Sequence, residues 1–207
     1  MLEYKLLFML SIFIIQKQKM RKKLLILFVA LLTIPLYAQH FALKNNLVYD
    51  ATLTPNLSME IGLAKRITLD IGGGYNPFTF NDHKRFKHWL AQPELRFWMC
   101  EKFNGTFWGI HAHGGEFSVA NLKLPFDFMK QLRNHRYEGY FYGGGISIGH
   151  QWVLGKHWNL EASIGGGYAR VEYDKYECKD CGPKLKSDHY NYWGVTRATL
   201  SIVYILK

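Results

Sequence analysis

Cysteine is scarce, with three in 207 residues, and nothing after residue 38 approaches the ~20 consecutive apolar residues that a membrane-spanning helix needs. The second shortage means that residues 39–207 could cross a membrane only as strands. The first leaves metal chemistry without a ligand set. Cys178-Lys179-Asp180-Cys181 has only His189 nearby as a further candidate, so a four-ligand zinc site is incomplete. No helix start adjoins this pair to lower a thiol pKa, which argues against a redox pair. A local disulfide between Cys178 and Cys181 is the leading expectation, with two reduced thiols as the alternative. No Lys-Ser/Thr follows the glycine strings at 72–74 and 165–167, so they are not a nucleotide cradle. No cofactor and no metal site is expected.

The basic excess is smaller than it looks. Of the 26 Lys and Arg, six precede Gln39, together with one of the 16 acids, which leaves residues 39–207 at +5 rather than +10. That is too mild to argue for nucleic acid. Arg21, Lys22 and Lys23 precede an apolar run over 24–32, and Leu36-Tyr37-Ala38 offers a small residue at a cleavage site. This predicts an apolar helical leader, a signal peptide over 20–38 cut before Gln39. Residues 1–19 hold a second apolar run at 6–15, while Met20 stands immediately before the basic cluster. They read as an extension outside the natural start, with a helical hairpin anchor as the competing reading.

Alternation of period two then dominates. Leu57, Met59, Ile61 and Leu63 oppose Ser58, Glu60, Gly62 and Ala64; Ile67, Leu69, Ile71 and Tyr75 oppose Thr68, Asp70, Gly72 and Gly74. The pattern recurs in eight segments, 41–49, 57–63, 67–75, 88–99, 106–117, 137–152, 158–173 and 193–206, joined by connections that alternate short and long. It predicts an all-β fold: an eight-stranded antiparallel up-and-down transmembrane β-barrel over 39–207, with the short turns on the periplasmic side. The polar face is rich in Gly, Ser and Thr and poor in Lys, which suits a narrow interior better than a water-facing surface. Glu60, Asp70, Glu94, Arg96, Glu161 and Arg197 fall on that face and are expected to pair inside, because an unpaired charge there costs several kcal/mol. Tyr75, Trp89, Trp158, Tyr168 and Tyr204 fall on the apolar face near segment ends, as interfacial aromatics do.

The remaining candidates are weaker. His111 and His113 share a strand face expected to point inward. A hydrolase set of Ser118, His113 and Glu116 would need side chains that an ideal strand puts on opposite faces. Lys84, Arg85, Lys87, Lys123, Lys130, Arg133 and Arg136 make the long loops basic, as contact with lipopolysaccharide phosphates or plain solvation would both explain. After Pro125, Phe126, Met129 and Leu132 have helix-like spacing.

Several strings carry a family resemblance: 42–51 (ALKNNLVYDA), 54–57 (TPNL), 72–80 (GGGYNPFTF), 87–94 (KHWLAQPE), 100–105 (CEKFNG) and 178–182 (CKDCG). On these the chain resembles a domain-of-unknown-function family of small OmpA-like outer-membrane barrels of Bacteroidetes, often encoded beside fimbrillin genes. The resemblance implies a bacterial outer-membrane location, contact with outer-membrane lipid and lipopolysaccharide, and a link to fimbrial proteins. It supplies no catalytic residues. The expectation is a non-enzymatic barrel with a structural or accessory role in fimbria assembly or anchoring. A lipid-modifying barrel enzyme and a soluble, exported, lipocalin-like ligand binder are the alternatives.

Overall fold

The computed structural model describes residues 41–80, 84–120, 136–177 and 182–206. The chain divides into two units, Met1–Ala38 and Gln39–Lys207, and every described residue belongs to the second. The expected extension, the signal peptide, the run after Pro125 and the Cys178–Cys181 pair lie outside the described residues.

Among the described residues nine strands and one short helix follow in order: β1 (Phe41–Asn46), α1 (Leu47–Ala51), β2 (Asn56–Gly62), β3 (Ile67–Asn76), β4 (Thr79–Phe80), β5 (Lys84–Trp98), β6 (Gly105–Ala120), β7 (Arg136–Val153), β8 (Trp158–Tyr176) and β9 (Lys184–Leu206). Eight of them pair antiparallel with their sequence neighbours, β9 pairs with β1, and β3 pairs with β5, so the up-and-down sheet closes in a ring. The two-residue β4 only adds to the edge of β5. Among the described residues no helix is long and apolar enough to cross a membrane, which says nothing about strands.

Two segments differ most from the sequence reading, and Lys84, Arg85, Lys87 and Arg136, read as loop residues, stand instead at the paired starts of β5 and β7. Residues 47–49 belong to α1 rather than to a first strand over 41–49, because Asn46 takes an extended backbone and its side chain accepts from the Val48 N–H, capping a helical turn. Residues 184–192 are strand, not loop. Their polar composition is overridden by pairing with β8, unbroken from Lys175↔Lys186 to Tyr168↔Trp193 and resumed at Tyr176↔Lys184 after a register shift.

The apolar face points outward, the reverse of a fold built around an oily centre. Ile71, Ile110, Ile146, Ile148 and Ile164 are exposed, while Glu60, Asp70, Glu94, Arg96 and Glu161 are buried. The apolar core cluster inside lies at the short-turn end. There Phe103 folds under the ring with left-handed backbone (φ 64°) to join Ala42 and Val203, and Trp98 and Phe107 pack ring against ring.

Inward glycines set how closely the strands coil. A Cβ at Gly167 would collide with the Gly144 carbonyl oxygen, whereas one at the outward Gly166 meets nothing nearer than the Gly194 oxygen at 3.5 Å. Gly167→Ala is therefore expected to lower stability by about 1–3 kcal/mol through overpacking. Gly166→Ala should stay within about 0.5 kcal/mol of the parent. Urea titration of the two variants side by side checks the difference.

Candidate functional site

Inside the ring the alternation delivers charge from six of the eight strands to one level. Arg96 of β5, fully buried, is the hub. Its Nε donates to Glu94 Oε2 (2.5 Å), Nη1 to Glu60 Oε2 (3.0 Å) and Glu161 Oε2 (2.9 Å), and Nη2 to Asp70 Oδ2 (2.8 Å). The planar fork lets one cation serve four carboxylates, which a point-like ammonium could not do. The guanidinium also lies over the Phe107 ring at 4.4 Å. Arg197 of β9 donates to Gln92 Oε1 (2.9 Å) and Asp70 Oδ2 (3.1 Å) and stands 3.3 Å from Glu94.

All six charges expected inside meet here. Sequence reasoning missed the seventh. Lys44 of β1, 3% exposed, donates to Glu161 Oε2 (2.8 Å) and pairs with Glu60. Its signal was legible, since Ala42, Lys44 and Asn46 alternate with Phe41, Leu43 and Asn45. Three hydroxyls complete the set: Ser58 bonds Asp70, Thr68 bonds Glu60 and Ser147 bonds Glu94. Three cations and four carboxylates thus hold one another with their lone pairs largely satisfied, the condition under which buried ions are tolerated.

Around the ion pairs the interior is filled. Where α1 brings Tyr49 over Lys44, Asp70, Glu161 and Arg197 there is a cavity of about 30 Å³, room for one or two waters. His111 faces inward, its Nε2 2.9 Å from Thr196 Oγ1, with the His113 ring tilted against it at 5.8 Å between centroids. The hydrolase set is not brought together. Ser118 Oγ donates to Glu138 (3.1 Å), and the exposed Glu116 accepts from Trp89 Nε1 (3.1 Å). Cys100 is exposed and free at the short-turn end. Among the described residues no group of His, Cys, Asp or Glu is arranged to hold a metal.

The outer surface is the second constructed feature. On β8 the outward residues run Trp158, Leu160, Ala162, Ile164, Gly166 and Tyr168, then Arg170 and Glu172. From Trp158 to Tyr168 is about 33 Å along the strand, or about 25 Å in height at a tilt of ~40°, the height of an apolar band suited to an outer membrane. Trp158 packs on Tyr204 at one border and Tyr168 on Trp193 at the other. Tyr75, Trp89 and Tyr142 continue the second border, and all three are exposed. Between the borders the outward positions among the described residues carry no Asp, Glu, Lys or Arg. Beyond them charge returns: Arg170 Nε donates to Glu172 (3.0 Å), and Lys184 pairs with Asp174 at 2.8 Å, which holds the Asp174 carboxyl below its ordinary range.

Residues 24–206 match the family described as "Protein of unknown function (DUF3575)", and the chain belongs to it. No curated protein and no solved structure matches the chain.

Proposed function

From membership of that family and from a ring that is charged within and apolar without, we propose that the chain is a non-enzymatic β-barrel of the bacterial outer membrane. The observation that carries this reading is the charge-free outward belt about 25 Å tall with aromatic side chains at both borders. An eight-stranded barrel has an interior just filled by side chains, and the ion-pair cluster does fill it, so a transport pore draws no support. A lipocalin-like binder needs an apolar chamber, and the space between Tyr49 and the buried charges is polar and holds one or two waters. For a lipid-modifying enzyme, the separation of His113 from Glu116 and Ser118 removes the one constellation that suggested it.

The role proposed is structural or accessory. Its lipid partners are outer-membrane lipid and lipopolysaccharide, and the resemblance to barrels encoded beside fimbrillin genes makes fimbrial proteins the protein partners to test. In membrane fractions the protein should sediment with the outer membrane and migrate faster on gels unheated than boiled. A freely soluble protein whose mobility ignores heating would overturn the membrane reading. Deleting the gene should lower surface fimbriae. Unchanged fimbriae would remove the fimbrial part and leave the barrel.

A further inference from the structure

One stretch of the outer belt is concave. Outward Gly166 of β8 forms its floor, Ile146 of β7 stands on one side, and Val195 and Trp193 of β9 stand on the other. Trp193 at 76% and Ile146 at 69% are the most exposed large apolar side chains among those described, and both line this groove. The floor is bare although a side chain has room there, at a register shift where Gly165 pairs with Arg197 and Gly166 with Val195. The neighbouring inward glycines would clash if given a Cβ, but Gly166 would not. The walls stand two strand spacings, about 10 Å, apart between backbones. Once their side chains are in place, that leaves width for a single methylene chain and not for a helix, which is ~10–12 Å across.

The upper end of the groove is polar. Tyr168 donates its phenol proton to Asn191 Oδ1 at 2.8 Å. One outward position further on is Arg170, whose Nε is engaged by Glu172 while Nη1 and Nη2 make no hydrogen bond among the described residues. A guanidinium edge turned to solvent beside phenols is a fork for phosphate oxygens.

We propose that this groove is a lipid site: an acyl chain lies on Gly166 between Ile146 and Val195–Trp193, and the phosphate of an anionic headgroup is held by Arg170. This rests on the membrane reading above. The test uses the full chain in detergent micelles with phosphatidylglycerol as the probe, read as protein–lipid adducts by native mass spectrometry. Gly166→Leu fills the groove, and Arg170→Gln removes the phosphate fork. Each is expected to cut adducts at least five-fold while the heat-dependent gel shift persists. Should Gly166→Leu not fold, Val195→Phe fills the groove from a position that already carries a side chain and is expected to give the same loss. Adducts at the parent level in a folded, groove-filled variant would overturn the site. So would a dimer that Gly166→Leu dissolves without lipid loss, which would assign the groove to a second copy. A parent chain that inserts into phospholipid vesicles but retains no phosphatidylglycerol overturns the groove alone, whereas one that fails to insert overturns the membrane reading with it.

Discussion

Arg96→Met is expected to remove a third or more of the folding stability of the ring, about 5 kcal/mol. The substitution keeps an unbranched stem of similar reach but leaves Glu60, Asp70, Glu94 and Glu161 with Lys44 and Arg197 as the remaining cations, a net charge of two negatives in a sealed interior. Stripping one partner from a buried ion pair costs about 3–5 kcal/mol. Here a single residue partners four acids, so the upper end applies, against a whole-domain stability of ~5–15 kcal/mol. Arg96→Lys should be intermediate, since an ammonium restores the charge but cannot reach all four acceptors at once. Arg85→Met is the control. Arg85 stands 3.5 Å from Glu138 with both side chains partly exposed, and an ion pair so placed contributes about 1 kcal/mol or less. Refolding yield and urea midpoint, followed by gel mobility, rank the three. An Arg96→Met protein with the parent midpoint would mean that the charge cluster is not what holds the strands together.

How much of that cluster was legible follows from what a period of two can and cannot report. Parity assigns each residue to a face, so Glu60, Asp70, Glu94, Arg96, Glu161 and Arg197 were readable as inward from their apolar neighbours alone. Parity says nothing of height along the ring. That Arg96 stands level with all four acids depends on register, which is a long-range property set by pairings such as Glu60↔Asp70 and Asp70↔Glu94. Lys44 was missed for a related reason. β1 is six residues long and runs straight into α1, so the alternation is too brief to stand out once 47–49 are read as strand. Ser58, Thr68 and Ser147 carry no charge to mark them, and their bonds to carboxylates appear only once the ring is closed. Residues 184–192 failed in the opposite direction: Lys184, Lys186 and Asp188 read as loop, and pairing with β8 makes them strand. The groove at Gly166 was masked by its surroundings, because parity turns Gly166 outward but does not report that Ile146, Val195 and Trp193 stand around it, which depends on register.

Ile71→Arg places a charge at the waist of the outer belt, far round the ring from the groove, and its effect is expected to depend on the solvent more than on the fold. Ile71 is 46% exposed, four residues from Ile67 and four from Tyr75, and makes its cross-strand pairs with Met59 and Pro93. In water, an arginine at so open a position would shift stability by no more than about 0.5 kcal/mol. At the middle of a bilayer it should cost about 2–4 kcal/mol, close to a thirty-fold or greater loss of folded protein near the urea midpoint, because the ion must be dragged toward the interface. Tyr75→Arg, at the aromatic border where charge returns, should cost only about 0–1 kcal/mol in the same vesicles. The depth dependence is the diagnostic quantity. Inward neighbours give the complementary reading, since Asp70→Ile, on the opposite face of the same strand, removes an acceptor from both Arg96 and Arg197 whatever surrounds the ring. A chain in which Ile71→Arg and Tyr75→Arg are equally harmless, while Asp70→Ile still unfolds it, would keep its ion-pair core and lose its place in the membrane.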